Sequence, residues 1–342
     1  MTSKFRVGLT RDILNSRGEP AFGQAALDIL DRAPEIEWEF LPQVVPEIDA
    51  ELAAQYDAIY VNIARVPARA VARPDCLLRV IARHGVGYDT VDVAAMTKAG
   101  VIVTNTPTAM PRPVATTALT FILALAGKLF LKDRLTRTGR WQERMDNMGC
   151  GLTGRTLGVV GAGGIGRELL RMARAFDLKL VASDPFANDI ELGYMGARKV
   201  ALETLLREAD FVVVCCLLNE KTQHLIGARE FALMRPQAYF INVARGPIVD
   251  ERALIDTLRG RRIAGAALDV FEQEPVDPGN PLLAMDNVIV TPHSLCWTDE
   301  CFHNMASTGL RSIVDVLAGR LPEFVVDREV LKHPRVQARL RA

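Results

Sequence analysis

Three polar residues stand where apolar runs end in the last third of the chain. Arg245 closes YFINVAR, Glu274 follows the run AALDVF, and His293 closes NVIVTPH. If those runs are successive parallel strands, the three side chains share the sheet edge at which open α/β sheets bind ligands. A guanidinium grips a carboxylate in a bidentate fork, which would orient a 2-oxo or 2-hydroxy acid. A carboxylate beside an imidazole favours imidazolium, so a histidine so placed can protonate a carbonyl or take a proton from an alcohol. Singly, each residue has a plainer reading: a surface arginine, a turn glutamate before Pro275, a loop histidine. Together they make an acid–base site.

What precedes the trio gives it a partner. TLGVVGAGGIGRELLRMARAF sets Gly161, Gly163 and Gly166 directly after a strand-like run and at the opening of a helix-like one. That context is what a dinucleotide fingerprint requires. Gly161 permits the tight turn, Gly163 lets backbone approach a pyrophosphate, and Gly166 allows helix to pack on strand. Free N–H groups and the helix dipole near Gly164 and Ile165 then meet the anion. The next run, LKLVAS, ends at Asp184. A carboxylate there can hydrogen-bond the adenosine ribose and would repel a 2′-phosphate, so NAD is expected over NADP. The competing reading is that Asp184 only caps the turn at Pro185.

Elements must carry these residues to one place. FRVGLT, DAIYVNI, LLRVIAR and VIVTNT read as strands separated by helical or turn-rich stretches. A second series begins near residue 156, with TLGVV, LKLVAS, DFVVVCCL, AYFINVA, IAGAALDV and NVIVTPH. Its runs are nearly continuously apolar, as for parallel strands covered on both faces. Alternation with helices predicts α/β layers. A long apolar helix over 112–131, introduced by Pro111 and Pro113, stands between the series. A further helix is expected from Thr298 to Gly319, with Met305, Leu310, Ile313, Val314 and Leu317 on its apolar face.

Bulk properties narrow the class. A chain of 342 residues fits two domains, and 41 basic residues balance 41 acidic ones. Nothing here favours nucleic acid or an anionic membrane. The six cysteines (Cys76, Cys150, Cys215, Cys216, Cys296 and Cys301) form no C-x-x-C pair, which reads as reduced thiols in a cytoplasmic protein without a metal framework. The opening MTSKFRVGLT lacks a signal-peptide core. VATTALTFILALAGKLFL is interrupted by threonines and Lys128 before it reaches a membrane span.

The motifs GVVGAGGIGRELLRMARAF, INVARGPIVDERAL, AALDVFEQEP and VIVTPH, with HGVGYDTVDVAAMTKAGVIVTNTP ahead of them, resemble those of the D-isomer-specific 2-hydroxyacid dehydrogenases. The resemblance runs from about residue 55 to 319. It implies two Rossmann-like, doubly wound parallel-sheet domains separated by a cleft. The substrate-binding domain would be 1–109 plus 299–342, and the NAD-binding domain 110–298. It further implies that Arg245 binds substrate, Glu274 polarises the histidine and His293 is the acid–base. Asp269 would lie near the nicotinamide amide, with Cys216, Leu217, Val243 and Ala244 on the cofactor wall. Backbone groups of Asn62, Ile63 and Ala64, and of Val86 and Gly87, match the substrate-carboxylate loops. A homodimer through the NAD-binding domain is implied, consistent with the 112–131 helix and Trp141.

Four departures stand out. The connecting helix has Val114-Ala115-Thr116 after an unusual PRP, Leu217 replaces a common proline, HSLCWT replaces small residues after the histidine, and Phe302 replaces a common arginine. The third bears on substrate: Trp297 and Cys296 alter the pocket wall. Alternatives are an NAD(H)-sensing binding protein of the corepressor type, or a formate or phosphite dehydrogenase-like enzyme. The latter usually pairs its histidine with an amide, against Glu274. For a phosphoglycerate branch, Arg65, Arg69 or Arg83 could meet a phosphate, but none sits in a distinctive pattern.

Overall fold

The computed structural model describes residues 4–340. They form two compact units: residues up to Met110 together with those from Trp297 onward, and Pro111–Cys296. The division falls between Cys296 and Trp297.

The first unit is built on five parallel strands, β1 (Phe5–Leu9), β2 (Ile36–Phe40), β3 (Ala58–Val61), β4 (Val80–Arg83) and β5 (Ile102–Thr104), in the order β2-β1-β3-β4-β5. Successive residues alternate between two cores, as strand geometry dictates. Val7, Leu9, Tyr60, Ala82 and Ile102 join the core beneath helices Gln24–Asp31 and Asp299–Leu317. Ile59, Val61, Ile81 and Val103 join the opposite core with Met96 of helix Val93–Ala99. The strand β2, IEWEF, was not expected. It is an edge strand whose glutamates point outward and break the apolar run.

The helix expected from Thr298 spans Asp299–Leu317. Thr298 caps it by accepting the N–H of Cys301 at 3.2 Å, and Gly319 follows its end at φ 75°. Its Gly309 lies on Tyr60, where a Cβ would come within 2.5 Å of the ring.

The second unit holds seven parallel strands. These are β6 (Thr156–Val160), β7 (Lys179–Ser183), β8 (Ala197–Lys199), β9 (Phe211–Val214), β10 (Tyr239–Asn242), β11 (Gly265–Leu268) and β12 (Val288–Val290). Their order is β12-β11-β10-β9-β6-β7-β8. From β6 the chain winds outward through β7 and β8, then returns to β9 and winds the other way. The crevice at the carboxyl ends of β6 and β9 is therefore the topological switch point.

The helix expected over 112–131 ends earlier, spanning Pro111–Gly127, because Lys128 adopts a left-handed conformation at φ 51°. A second helix, Leu129–Arg137, continues at a 55° bend. No single helix among the described residues is long and apolar enough to cross a membrane. The PRP that opens the first of these helices fits onto the glycine-rich helix Gly164–Ala173. A Cβ on Gly164 would lie 3.3 Å from Cγ of Pro111, and Arg112 Nη1 reaches Glu168 Oε1 at 2.8 Å. Hydrogen bonds from Arg171 and Arg112 hold the Glu168 carboxyl down at about 2 despite burial.

A depressed carboxyl stabilises the fold above its unfolded value, near 4.5, and that contribution disappears as pH falls toward 2. Glu168→Gln should therefore cost about 1–3 kcal/mol at pH 7, removing the charge and one of the two acceptor oxygens that the two arginines use. Denaturant unfolding of both proteins should show the gap narrowing between about pH 5 and pH 3. A gap independent of pH would contradict this role.

Candidate active site

The glycine loop follows β6 directly. Gly161 has φ 93°, and a Cβ there would meet the backbone N and Cα of Cys216 at 2.6 Å. On Gly166 a Cβ would stand 2.1 Å from the carbonyl oxygen of Gly161. Both positions exclude a side chain for the protein's own packing. Gly163 differs, because a Cβ there would touch nothing within 4 Å. It is also the N-cap of helix Gly164–Ala173 and offers no side-chain acceptor to the first N–H groups. An open glycine at an uncapped helix start fits a bound phosphate group.

Asp184, after β7, accepts the N–H of Ala162 at Oδ2 and that of Phe186 at Oδ1, both at 2.8 Å. It thus caps the turn at Pro185, and it also braces the glycine loop. Each carboxylate oxygen retains a second lone pair for a ribose hydroxyl. Among the other cofactor-side candidates, Cys216 abuts Gly161, Leu217 is exposed, and Val243 is buried. Ala244 donates its N–H to Asn242 Oδ1 at 3.0 Å.

Around the acid–base candidates, β10, β11 and β12 are consecutive neighbours. Arg245 follows β10 in extended conformation. Glu274 lies in the turn after β11 and His293 in the turn after β12. Nδ1 of His293 meets Oε2 of Glu274 at 2.7 Å, while Oε1 of Glu274 accepts the N–H of Phe271 at 3.0 Å. This bond occupies Nδ1 and leaves Nε2 outside the pair. Burial pushes the Glu274 carboxyl up. The His293 hydrogen bond and charge, the Phe271 N–H and the Arg245 charge together outweigh it, and the carboxyl sits below its ordinary range. Glu274 is thus a charged acceptor.

Asp269, the first residue after β11, organises the turn that carries His293. Its Oδ1 accepts Thr291 Oγ1 at 2.6 Å, the N–H of Ser294 at 3.0 Å and that of Leu295 at 3.2 Å. His293, clasped between these contacts, takes φ 53°. Left-handed backbone is uncommon outside glycine and is maintained where surroundings over-determine it. Burial raises the Asp269 carboxyl, and the Thr291, Leu295 and Ser294 donors oppose that.

Asn242 was not singled out in the sequence. It ends β10, takes the Ala244 N–H on Oδ1 and donates from Nδ2 to the Arg245 carbonyl at 2.9 Å, shaping the arginine's turn. An asparagine at a strand end is the signal that could have marked it. Thr291 escaped notice too, since its importance lies in a bond to a residue on the neighbouring strand's turn.

In the first unit, the candidate carboxylate loops follow β3 and β4. Asn62 donates its N–H to Thr10 Oγ1 at 3.2 Å, and Ile63 donates to Asp12 Oδ2 at 2.6 Å. Two of the three N–H groups expected at Asn62, Ile63 and Ala64 are therefore engaged within the unit. The Asn62 side-chain nitrogen is buried without a partner. Val86 offers its carbonyl to Asn105 Nδ2 at 2.8 Å, and Gly87 is buried.

Trp297 is 45% exposed and packs edge-on against Phe302, with ring centroids 5.1 Å apart. Phe302 packs likewise on His84 at 4.8 Å, and His84 Nδ1 bonds the hydroxyl of Tyr60. Burial, aided by the Arg83 charge, holds the His84 imidazole down at about 3. An arginine in place of the buried Phe302 would need a partner that this apolar surround does not provide. Two departures, Trp297 and Phe302, are thus parts of one aromatic cluster.

Residues 119–294 match the model of the D-isomer specific 2-hydroxyacid dehydrogenase NAD binding domain. A glyoxylate reductase from Korarchaeum cryptofilum is 38% identical over 75% of this chain and 78% of its own length. Another from Thermofilum pendens is 39% identical over 75% of this chain and 76% of its own. The crystal structure of a glyoxylate reductase from Paecilomyes thermophila superposes with a TM-score of 0.83, with 27% identity over 96% of this chain and all of that one. A match across more than half the chain, on the strands and turns described above, leaves one assignment: this protein belongs to the D-isomer-specific 2-hydroxyacid dehydrogenases and is an NAD-dependent oxidoreductase.

Proposed function

We propose that this enzyme exchanges a hydride between NAD(H) and a small 2-oxo or 2-hydroxy acid, with glyoxylate the first substrate to test. The observation that carries the assignment is the 2.7 Å bond from His293 Nδ1 to a Glu274 carboxylate that also feels the Arg245 charge. His293 donates a proton from Nε2 to the carbonyl oxygen in reduction and takes it back in oxidation. Glu274 fixes the ring orientation and tautomer, and Arg245 binds the substrate carboxylate or carbonyl. The bound nicotinamide supplies the hydride. The loop Gly161–Gly166 carries the pyrophosphate, met at Gly163 and the N–H groups of Gly164 and Ile165 while Gly161 and Gly166 shape the turn, and Asp184 takes the ribose, favouring NAD over NADP. Asp269 holds the histidine's turn in place.

The carboxylate at Glu274 speaks against a formate-type reaction, which has no alcohol proton to move. The same complete acid–base pair disfavours a purely cofactor-sensing role. Two copies pairing through the second unit would cover its exposed Leu129, Phe130 and Trp141. Trp297, braced by Phe302, is assigned to substrate selection.

Three outcomes test this reading. His293→Asn should lower kcat by about 100-fold or more while NADH binding, followed by fluorescence, is unchanged. Near-normal turnover would remove His293 from the mechanism. Asp184→Ala should lower the preference for NADH over NADPH about tenfold or more, the value of one charge-assisted hydrogen bond; unchanged discrimination would assign the ribose to another group. In a spectrophotometric screen of 2-oxo acids, Trp297→Ala should change the ranking of substrates, and an identical ranking would leave Trp297 a packing residue only.

A further inference from the structure

A second histidine–carboxylate pair lies in the same unit. His224 stands in the loop between β9 and helix Ala228–Phe231, and its Nε2 bonds Oε1 of Glu272. Its backbone N–H donates to the carbonyl of Pro247 at 2.8 Å, and two residues later Ile226 donates to Ile248 at 3.1 Å. One residue therefore reaches two loops. Pro247 is two positions beyond Arg245, and Glu272 is two positions before Glu274.

Those loops meet with no slack. A Cβ on Gly246 would fall 1.8 Å from the carbonyl oxygen of Phe271 and 2.3 Å from the nitrogen of Glu272. The N–H of Phe271 in turn holds Oε1 of Glu274, and the N–H of Glu272 is held by Oε2 of Glu251 at 3.0 Å. Alternate residues of one turn thus face two histidines: Glu272 faces His224 and Glu274 faces His293. His224 accepts a left-handed backbone, φ 49°, to make both of its bonds. Its side chain is 48% exposed and that of Glu272 is 34% exposed. Ion pairs so exposed add little to stability. What this pair can fix is position.

We propose that His224 and Glu272 form a clamp that sets the Arg245 loop against the Glu274 loop. His224 is then a positioning residue for the substrate-gripping arginine and for the carboxylate that orients His293. The inference rests on the roles proposed for Arg245, Glu274 and His293. Displacing a catalytic group by about 1 Å can cost up to 100-fold in rate.

The test uses full-length His224→Ala and His224→Gln, with glyoxylate or whichever 2-oxo acid turns over best. Active sites are counted by NADH titration and Tm is measured alongside. Alanine should lower kcat/KM about tenfold or more per NADH-binding site, with kcat falling and KM rising together. NADH affinity and Tm should stay close to wild type. Glutamine presents an N–H near the place of imidazole Nε2, so it should recover most of the loss. Unchanged kinetics in His224→Ala would overturn the clamp. So would a loss that follows Tm or the number of NADH sites, or one that glutamine does not restore. His293→Asn, measured in parallel, separates the two claims. If it still turns over, the site assignment itself fails; if it is inactive and His224→Ala is normal, only the clamp fails.

Discussion

The bond between Nδ1 of His293 and Oε2 of Glu274 joins two turns that leave adjacent parallel strands, so it exists only while β11 and β12 keep their register. Leu268 pairs with Val290 at the ends of those strands. Immediately beyond, Asp269 takes hold of Thr291, Ser294 and Leu295 and bends the chain until His293 faces back. A shift of one residue would send every side chain of a strand to the other face. The Asp269 bonds to Thr291, Ser294 and Leu295 tie the two strand ends together and hold that register. Sheet packing and acid–base geometry are in this sense one constraint.

The glycine loop depends on the same sheet from the other side of the switch point. Gly161 is forced by Cys216 after β9, and Gly166 by Gly161 itself. Gly163 alone among the three fingerprint glycines meets no protein atom, which is the expected mark of a position shaped for a ligand. Asp184 links the loop to the end of β7 through the Ala162 N–H. Removing that carboxylate would therefore disturb the loop as well as the ribose contact proposed for it.

The strands of both series were legible because parallel strands buried on both faces must be apolar almost throughout. β2 and β8 were not, since edge strands carry charge: IEWEF alternates with glutamates, and ARK is three residues long. The break at Lys128 was not expected although Gly127 precedes it, because lysine seldom takes the left-handed conformation that ends the helix there. Arg245 and His293 could be picked out because each closes a strand-like run, and Glu274 because it follows one closely before Pro275. Thr291 and His224 could not, because each bonds to turns distant in sequence; Asn242, whose bonds are local, carried only the weak signal of an asparagine at a strand end. Nor did sequence reveal that Trp297 and Phe302 belong to one stack resting on His84 and Tyr60.

That His293 and Glu274 act as a single unit is the central claim, and a double-mutant cycle on kcat tests it most directly. Groups that act together lose their effect together, so removing the second after the first costs little. The account predicts that Glu274→Ala combined with His293→Asn is scarcely slower than His293→Asn alone. If the two losses instead multiply, Glu274 contributes independently of the histidine, and the pairing seen at 2.7 Å is not the source of catalysis.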